Sequence, residues 1–370
     1  MIRVIEITGE PLLHGGQERF ITNLLENIDY TDLNIDVLTP YISDNAYFTE
    51  LVESEGGRVS ELNLDFNPGA SRRLLLEPIT DFLRDKRYDA AHIHSGSVSA
   101  LAYMALAAKR AGIKKIIVHS HSTGVPSLKH TFIRFVFGFI LKACATDFLA
   151  CSAEAGRMKY PQSVTKNRLK VIKNGINIED YKRNDAIRKV VRNSLGIGEG
   201  CFVIGHVGRF SKEKNHSFII DLFADVREKI PDSALLLLGD GELFDEIKEK
   251  TERLALSDRV FFTGNVDNVQ DYYQIMDLFI LPSLYEGFSF VTLEAQASGL
   301  PCLVSTGVPT DVIIGNNTER IDLDNYSEWL NKTIAYRGVG FEDNYEKIIS
   351  SGFDIKVTAD IIRALYLNDG

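Results

Sequence analysis

Two glutamates eight positions apart, Glu286 and Glu294, stand in the segment Pro282-Ser283-Leu284-Tyr285-Glu286-Gly287-Phe288-Ser289-Phe290-Val291-Thr292-Leu293-Glu294-Ala295, directly after the apolar run Leu278–Leu281. On one continuous helix they would lie about 12 Å apart and roughly 80° out of register. That spacing does not suit two carboxylates shuttling one proton. It suits two separate handles, Glu286 in a loop and Glu294 inside a helix, each turned to a different part of a ligand. The preceding run reads as a parallel strand, and open α/β sheets bind ligands beyond the carboxyl ends of their strands. Gly287 permits close backbone approach, Ser289 can cap a helix running to Ser298, and the free amides there favour a phosphate or a sugar oxygen. The bland alternative is a loop charge followed by a helix-surface charge.

Three further segments carry chemistry. In Gly205-His206-Val207-Gly208-Arg209-Phe210-Ser211-Lys212-Glu213-Lys214-Asn215-His216, Arg209 and Lys214 fall between a strand and a helix. A planar guanidinium and an ammonium in one such loop suit a diphosphate and the charge that grows on it as a leaving group. Lys212 reads as a solvated neighbour. Gly15-Gly16, ahead of the first helix, allow backbone contact with phosphate or sugar; a ligand-free glycine turn is the rival. The segment is not the GxGxxG fingerprint, which weakens a dehydrogenase reading. Last, His119-Ser120-His121 closes the strand Ile116–His119. A histidine there can hydrogen-bond sugar hydroxyls, and His121, further into the loop, is the better candidate.

The elements that must position these residues alternate along the chain. Strands are predicted at Val4–Thr8, Ile35–Thr39, Ala90–Ile93, Ile116–His119, Phe148–Cys151 and Lys170–Ile172. A second series runs Phe202–Val207, Ala234–Leu238, Val260–Phe262, Leu278–Leu281 and Cys302–Ser305. Helical stretches such as Gln17–Asn27, His216–Lys229 and Leu243–Leu254 lie between them. Such alternation, with near-continuous apolar strands, predicts parallel sheets covered by helices. The turn Lys173-Asn174-Gly175-Ile176-Asn177 and the polar stretch after it divide the series into two similar halves. A final helical segment, Phe353–Leu367, carries the stripe Ile355, Ala359, Ile362 and Tyr366.

Composition sets outer limits. A chain of 370 residues, 45% hydrophobic and 25% charged, is that of an ordinary two-domain globular protein. The net charge of −10 disfavours nucleic acid as a partner. The interval 90–146 nevertheless holds no acidic residue and seven lysines and arginines, a local bias that suits an anionic partner. The four cysteines lack CxxC spacing and sit in apolar surroundings, so buried thiols in a reducing cytoplasm are expected, with no metal site. No run is long enough to span a bilayer, and the N-terminus lacks a signal peptide's cleavage region. The stretch Lys129–Lys142, rich in phenylalanine with three basic residues, reads either as a core helix or as an interfacial attachment to an anionic leaflet.

Taken together, the motifs resemble family 4 glycosyltransferases, the retaining, two-domain GT-B enzymes. Glu286–Glu294 matches the family's E-x7-E element and continues through Ala295-Gln296-Ala297-Ser298-Gly299-Leu300-Pro301. Gly208-Arg209-Phe210 with Lys214-Asn215-His216 matches its donor-diphosphate loop. Asn174-Gly175-Ile176, Gly15-Gly16 and Ala150-Cys151-Ser152 match further elements, and the fit is poorest over 305–315. The resemblance implies an α/β GT-B fold of two Rossmann-like domains, their mainly parallel sheets facing an inter-domain cleft. Residues 1–178 would form the acceptor side, with the helix 353–367 packing back on it, and 179–352 the nucleotide-sugar side. Arg209 and Lys214 would hold the donor diphosphate, Glu294 the ribose and Glu286 the transferred sugar. Amides of Gly287, Phe288 and Ser289 would assist, with Gly16 and His121 reaching in from the N-terminal domain. No cofactor or metal is implied. The form of the motifs is similar to bacterial exopolysaccharide and capsule enzymes, whose acceptors are often lipid-diphosphate-linked, and a uridine diphosphate sugar is the favoured donor. A GT-B-like nucleotide-sugar 2-epimerase and a non-catalytic carbohydrate-binding relative are the competing expectations.

Overall fold

The computed structural model describes residues 1–12, 16–43, 45–67, 69–122 and 128–368; the side chains of 128–132 lie outside that set. The chain divides into two compact units, Met1–Gly175 with Gly352–Gly370, and Ile176–Ser351.

The first unit is built on strands β1 (Ile2–Thr8), β2 (Leu33–Tyr41), β3 (Val59–Leu64), β4 (Ala90–Ser95), β5 (Lys115–Ser120), β6 (Asp147–Ala150) and β7 (Leu169–Val171). They form one sheet in the order β3-β2-β1-β4-β5-β6-β7. The second unit holds β8 (Phe202–Val207), β9 (Ser233–Leu238), β10 (Val260–Gly264), β11 (Leu278–Leu281), β12 (Cys302–Ser305) and β13 (Thr318–Ile321), in the order β10-β9-β8-β11-β12-β13. All pairings are parallel. Both orders are the doubly wound Rossmann arrangement, in which winding reverses between two central strands. That reversal falls between β1 and β4 in one unit and between β8 and β11 in the other.

Sequence explains the central strands directly. β9, Ser-Ala-Leu-Leu-Leu-Leu, is buried along its whole length, as a strand covered by helices on both faces must be. Each of the eleven predicted strands falls on an observed one. Two strands were missed, β3 and β13, and both lie at sheet edges. β3 alternates half-buried with exposed positions, and β13 reads Thr-Glu-Arg-Ile, so neither shows an apolar run. The cores separate likewise: Ile5, Ile93, Val118 and Phe148 belong to one, and Ile204, Leu237, Ile280 and Trp329 to the other.

The terminal helix Ile355–Leu367 belongs to the first unit, where it packs on the helix Gly16–Asn27 and on β1. Its buried residues include Ile355, Ala359, Ile362 and Tyr366. A Cβ on Gly175 would stand 2.7 Å from the Ile355 backbone, so only glycine lets the chain pass there. The Gly175 carbonyl accepts from Asn23 Nδ2 at 3.0 Å, which pins the crossing.

Trp329, the single tryptophan, is fully buried in the second unit, and its Nε1 donates to the Asp322 carbonyl at 3.1 Å. Trp329→Ala is expected to destabilise that unit by about 3–5 kcal/mol. Denaturant unfolding followed by circular dichroism checks it; a loss below 1 kcal/mol would mean the indole is not the keystone its burial indicates.

Candidate functional site

In the second unit, the segments 208–215 and 282–289 follow β8 and β11, so both emerge where the winding reverses. Loops there run to opposite faces of the sheet and leave room between them. Phe210 anchors the first loop. It is fully buried, its amide donates to the Asp240 carbonyl at 2.9 Å, and its ring stacks on His216 at 3.9 Å. With Phe210 held inward, Arg209 projects outward, 74% exposed, and meets Glu242 at 3.2 Å. Asn215, in the left-handed region at φ 58°, turns the chain into the helix His216–Lys229.

Lys214 and Glu286 come together. The Lys214 ammonium lies 2.6 Å from Glu286 Oε1, which also accepts from Ser283 Oγ at 2.6 Å. The Glu286 amide donates to the Gly307 carbonyl at 3.0 Å, so the carboxylate is held at both ends. The segment 305–307, where the family likeness was weakest, is therefore the buttress of this loop. Ser305 Oγ donates to the Ser283 carbonyl, and a Cβ on Gly307 would meet the carbonyl oxygens of Leu284 and Ser283 at 2.6 and 2.7 Å.

Past Glu286 the loop opens. A Cβ on Gly287 would touch nothing closer than the Tyr285 hydroxyl at 3.8 Å, so protein packing does not require glycine there. Phe288 packs edge-on against Phe290 at 4.8 Å. Ser289 caps the helix Phe290–Ala297, as its position in the sequence suggested, its Oγ accepting from the Thr292 amide. Glu294 is no surface residue. It is 3% exposed, and its Oε2 accepts from the Tyr273 hydroxyl at 3.0 Å.

In the first unit, Gly16 opens the first helix and is exposed, whereas Gly15 lies outside the described residues. His121 does not stand alone. Parallel register sets Glu6 beside His92 and His94 beside His119, so all four side chains share one face of the sheet. The Glu6 carboxylate is fully buried and accepts from His94 Nε2 at 2.5 Å and from the Tyr366 hydroxyl. His92 Nδ1 lies 2.6 Å from Tyr366 Oη and 3.3 Å from Glu6. His94 Nδ1 in turn meets His121 Nε2 at 2.8 Å. Burial opposes ionisation of Glu6, but attraction and hydrogen bonds from His92 and His94 outweigh it and hold the carboxyl below its usual range. Burial, reinforced by the neighbouring imidazoles, lowers His94 to about 4 and drives His119 and His121 well below the usual histidine value.

Sequence reasoning singled out His121 but missed Glu6, His94 and Tyr366. The available signals were a carboxylate, Glu6, between apolar neighbours in the first strand and two histidines at the period-two spacing of one strand face. Ligand nitrogens of His92, His94 and His119 lie within 4.8 Å of one another, close enough for a cation. Those of His92 and His94 are already committed to hydrogen bonds. All four cysteines are buried free thiols, as expected. On the helix Leu128–Cys144, Leu141 is fully buried, while Phe135 and Phe139 are 65% and 63% exposed. Among the described residues, no helix is long and apolar enough to cross a membrane.

Comparison with known proteins identifies the family and the fold. The Glycosyltransferase Family 4 profile matches residues 14–180, and the Glycosyl transferases group 1 profile matches 187–335. EpsF of Bacillus subtilis, classed as a glycosyltransferase, is 33% identical over 313 residues, covering 81% of this chain and 78% of its own. The UDP-Gal:α-D-GlcNAc-diphosphoundecaprenol α-1,3-galactosyltransferase of Escherichia coli is 25% identical over 99% of this chain and 97% of its own. The crystal structure of Anabaena HepE in complex with UDP superposes with a TM-score of 0.74 at 22% identity, covering 98% of this chain and 99% of that one. That likeness shows the fold, GT-B with two Rossmann-like domains.

Two outcomes follow from the site's packing and charge. Gly307→Ala should cost about 1–3 kcal/mol through overpacking against fixed carbonyls. Unfolding followed by Trp329 fluorescence measures it, and unchanged stability would show that the loop has room to move. The buried histidines set a pH dependence. His94, His119, His121, His206 and His216 all titrate lower folded than unfolded, His216 at about 3. Their stabilisation is complete above the unfolded value and drains as pH falls towards the folded one. His94 alone accounts for about 3 kcal/mol between pH 6.5 and 4. The depressed Glu6 acts in the same direction below that window, while Glu10, raised by burial, acts oppositely. Equal stability at pH 7.5 and 4.5 would contradict the assignment of neutral buried imidazoles.

Proposed function

The chain belongs to the family 4 (group 1) glycosyltransferases, and we propose that it moves a sugar, with retention at the anomeric carbon, from a nucleotide diphosphate sugar to a glycan or lipid-diphosphate-linked acceptor. The observation that carries this reading is the Lys214–Glu286 pair, with Arg209 on the same loop as the lysine, at the strand ends where winding reverses. When the bond from the anomeric carbon to the diphosphate breaks, negative charge grows on the leaving oxygen. Arg209 and Lys214 are the cations that neutralise it. Because two cations serve this purpose, no metal is assigned, and transfer should survive chelation with EDTA.

Glu286 is assigned to the transferred sugar, its carboxylate aimed by Ser283, Lys214 and the Gly307 carbonyl. Glu294, oriented by Tyr273, is assigned to the ribose hydroxyls. The amides of Gly287, Phe288 and Ser289 serve the donor, where the open space at Gly287 admits close approach. Gly16 and His121 supply substrate contacts in the first unit. The activity of the Escherichia coli relative supports a uridine diphosphate sugar as donor and a lipid-diphosphate-linked glycan as acceptor. The role assigned is exopolysaccharide or capsule synthesis at the cytoplasmic face of the membrane, on the form of the sequence motifs. The exposed Phe135 and Phe139, close to Lys142 on the helix Leu128–Cys144, suit peripheral contact with an anionic leaflet.

A screen of nucleotide sugars by thermal shift, with nucleotide release as the activity readout, identifies the donor. Glu286→Ala and Lys214→Ala should each lower acceptor-dependent transfer by about 100-fold or more while circular dichroism stays unchanged. Near-normal transfer in both variants would sink the site assignment. Conversion of the donor to its 2-epimer without acceptor would replace transfer with isomerisation.

A further inference from the structure

Glu6 and His94 belong to the first unit and the donor loops to the second, and nothing in the transfer reading uses these two residues. They nonetheless reach His121 through an unbroken chain of hydrogen bonds, and with Glu6 ionised and His94 neutral that chain fixes every proton position. An ionised carboxylate only accepts, so His94 Nε2, at 2.5 Å from Glu6 Oε2, must carry a proton. A neutral imidazole has one donor and one acceptor, so His94 Nδ1 is an acceptor. His121 Nε2, 2.8 Å away, must then be the donor in that bond. By the same rule His121 Nδ1 bears a lone pair. That atom is buried and has no hydrogen-bond partner among the described residues.

The side branch obeys the same logic. His92 Nδ1 donates to Tyr366 Oη, Tyr366 donates to Glu6, and His92 Nε2 accepts from His119 Nδ1 at 3.3 Å. No proton conflict arises anywhere in the cluster. The ring planes are set by packing as well: Phe20, from the helix Gly16–Asn27, has its centroid 5.0 Å from those of both His119 and His121.

We infer that Glu6 and His94 are positioning residues that fix His121 in the tautomer protonated on Nε2, leaving Nδ1 as the acceptor for a substrate hydroxyl. The assignment of His121 to substrate rests on the transfer reading; the tautomer does not. A hydroxyl donating to Nδ1 is both oriented and made more electron-rich at oxygen. An amine or ammonium group could donate to the same atom, but a carboxylate or phosphate oxygen, which only accepts, is rejected. The site thereby selects a hydroxyl-bearing sugar over anionic groups.

The test is the protonation pattern of the His121 ring, read by long-range proton–nitrogen correlation on histidine-labelled full-length protein. The wild type should show a protonated Nε2 and an acceptor Nδ1. Glu6→Gln can offer an amide N–H to His94 and so invert both rings, giving His121 a protonated Nδ1. Transfer by Glu6→Gln should then fall about tenfold or more in kcat, with donor KM within about twofold, the scale of one lost hydrogen bond. Tyr366→Phe disturbs the same buried cluster without reversing the relay and should keep the wild-type pattern. A wild-type His121 protonated on Nδ1 overturns the inference even if Glu6→Gln fails to fold. So does the same ring pattern and the same kcat in Glu6→Gln and Tyr366→Phe. The expected tautomers in a protein that transfers no sugar would instead sink the transfer reading and leave the relay standing.

Discussion

In a parallel sheet wound outward in both directions from its middle, the loops on either side of the reversal must leave by opposite faces, and nothing in the fold fills the space between their roots. Both units of this chain obey that constraint, between β1 and β4 and between β8 and β11. The chemistry gathers there because strand ends converge while backbone does not. Glycines mark the consequence: Gly239, at φ 124°, stands where a Cβ would strike the Gly208 carbonyl, and Gly241 is similarly crowded against Phe210. The tight stacking of loop on loop leaves Phe210 and Ser305 inside and turns Arg209 outward.

The two units use charge differently at equivalent places. In the second, cations and carboxylates meet near solvent, where Lys214, 20% exposed, pairs with Glu286. In the first, the Glu6 carboxylate is fully buried and acts only through its neighbours. A buried anion is tolerable only when its lone pairs are satisfied, and here they are met by two imidazoles and a phenol. The outer end of that network, His121, is its half-buried member.

Much of this was legible beforehand, for physical reasons. Near-continuous apolar runs advertise parallel strands, and all eleven predicted strands were observed, β7 and β10 at sheet edges among them. β3 and β13, at the opposite edges, escaped because their polar and charged residues break the apolar run, as charge on an edge strand discourages pairing with other chains. The Ser289 cap and the loop position of Glu286 could be read from local chemistry. The burial of Glu294 could not, because it depends on Tyr273, twenty-one residues earlier in the chain. The partnership of Glu6 with His94 was illegible for a stronger version of the same reason. It exists only once register has brought β1 beside β4, and no local pattern encodes register between strands 88 residues apart.

The Tyr366–Glu6 contact joins residues 360 positions apart, within a single unit interrupted by the whole of the other. During synthesis the N-terminal sheet emerges first, yet its innermost carboxylate lacks its phenol donor until nearly the entire chain has left the ribosome. The unit made second is continuous in sequence and can close as soon as it is out. Order of manufacture and order of completion are therefore opposite. A released chain ending at residue 351 would hold every residue of its second unit but a first unit still missing its terminal helix.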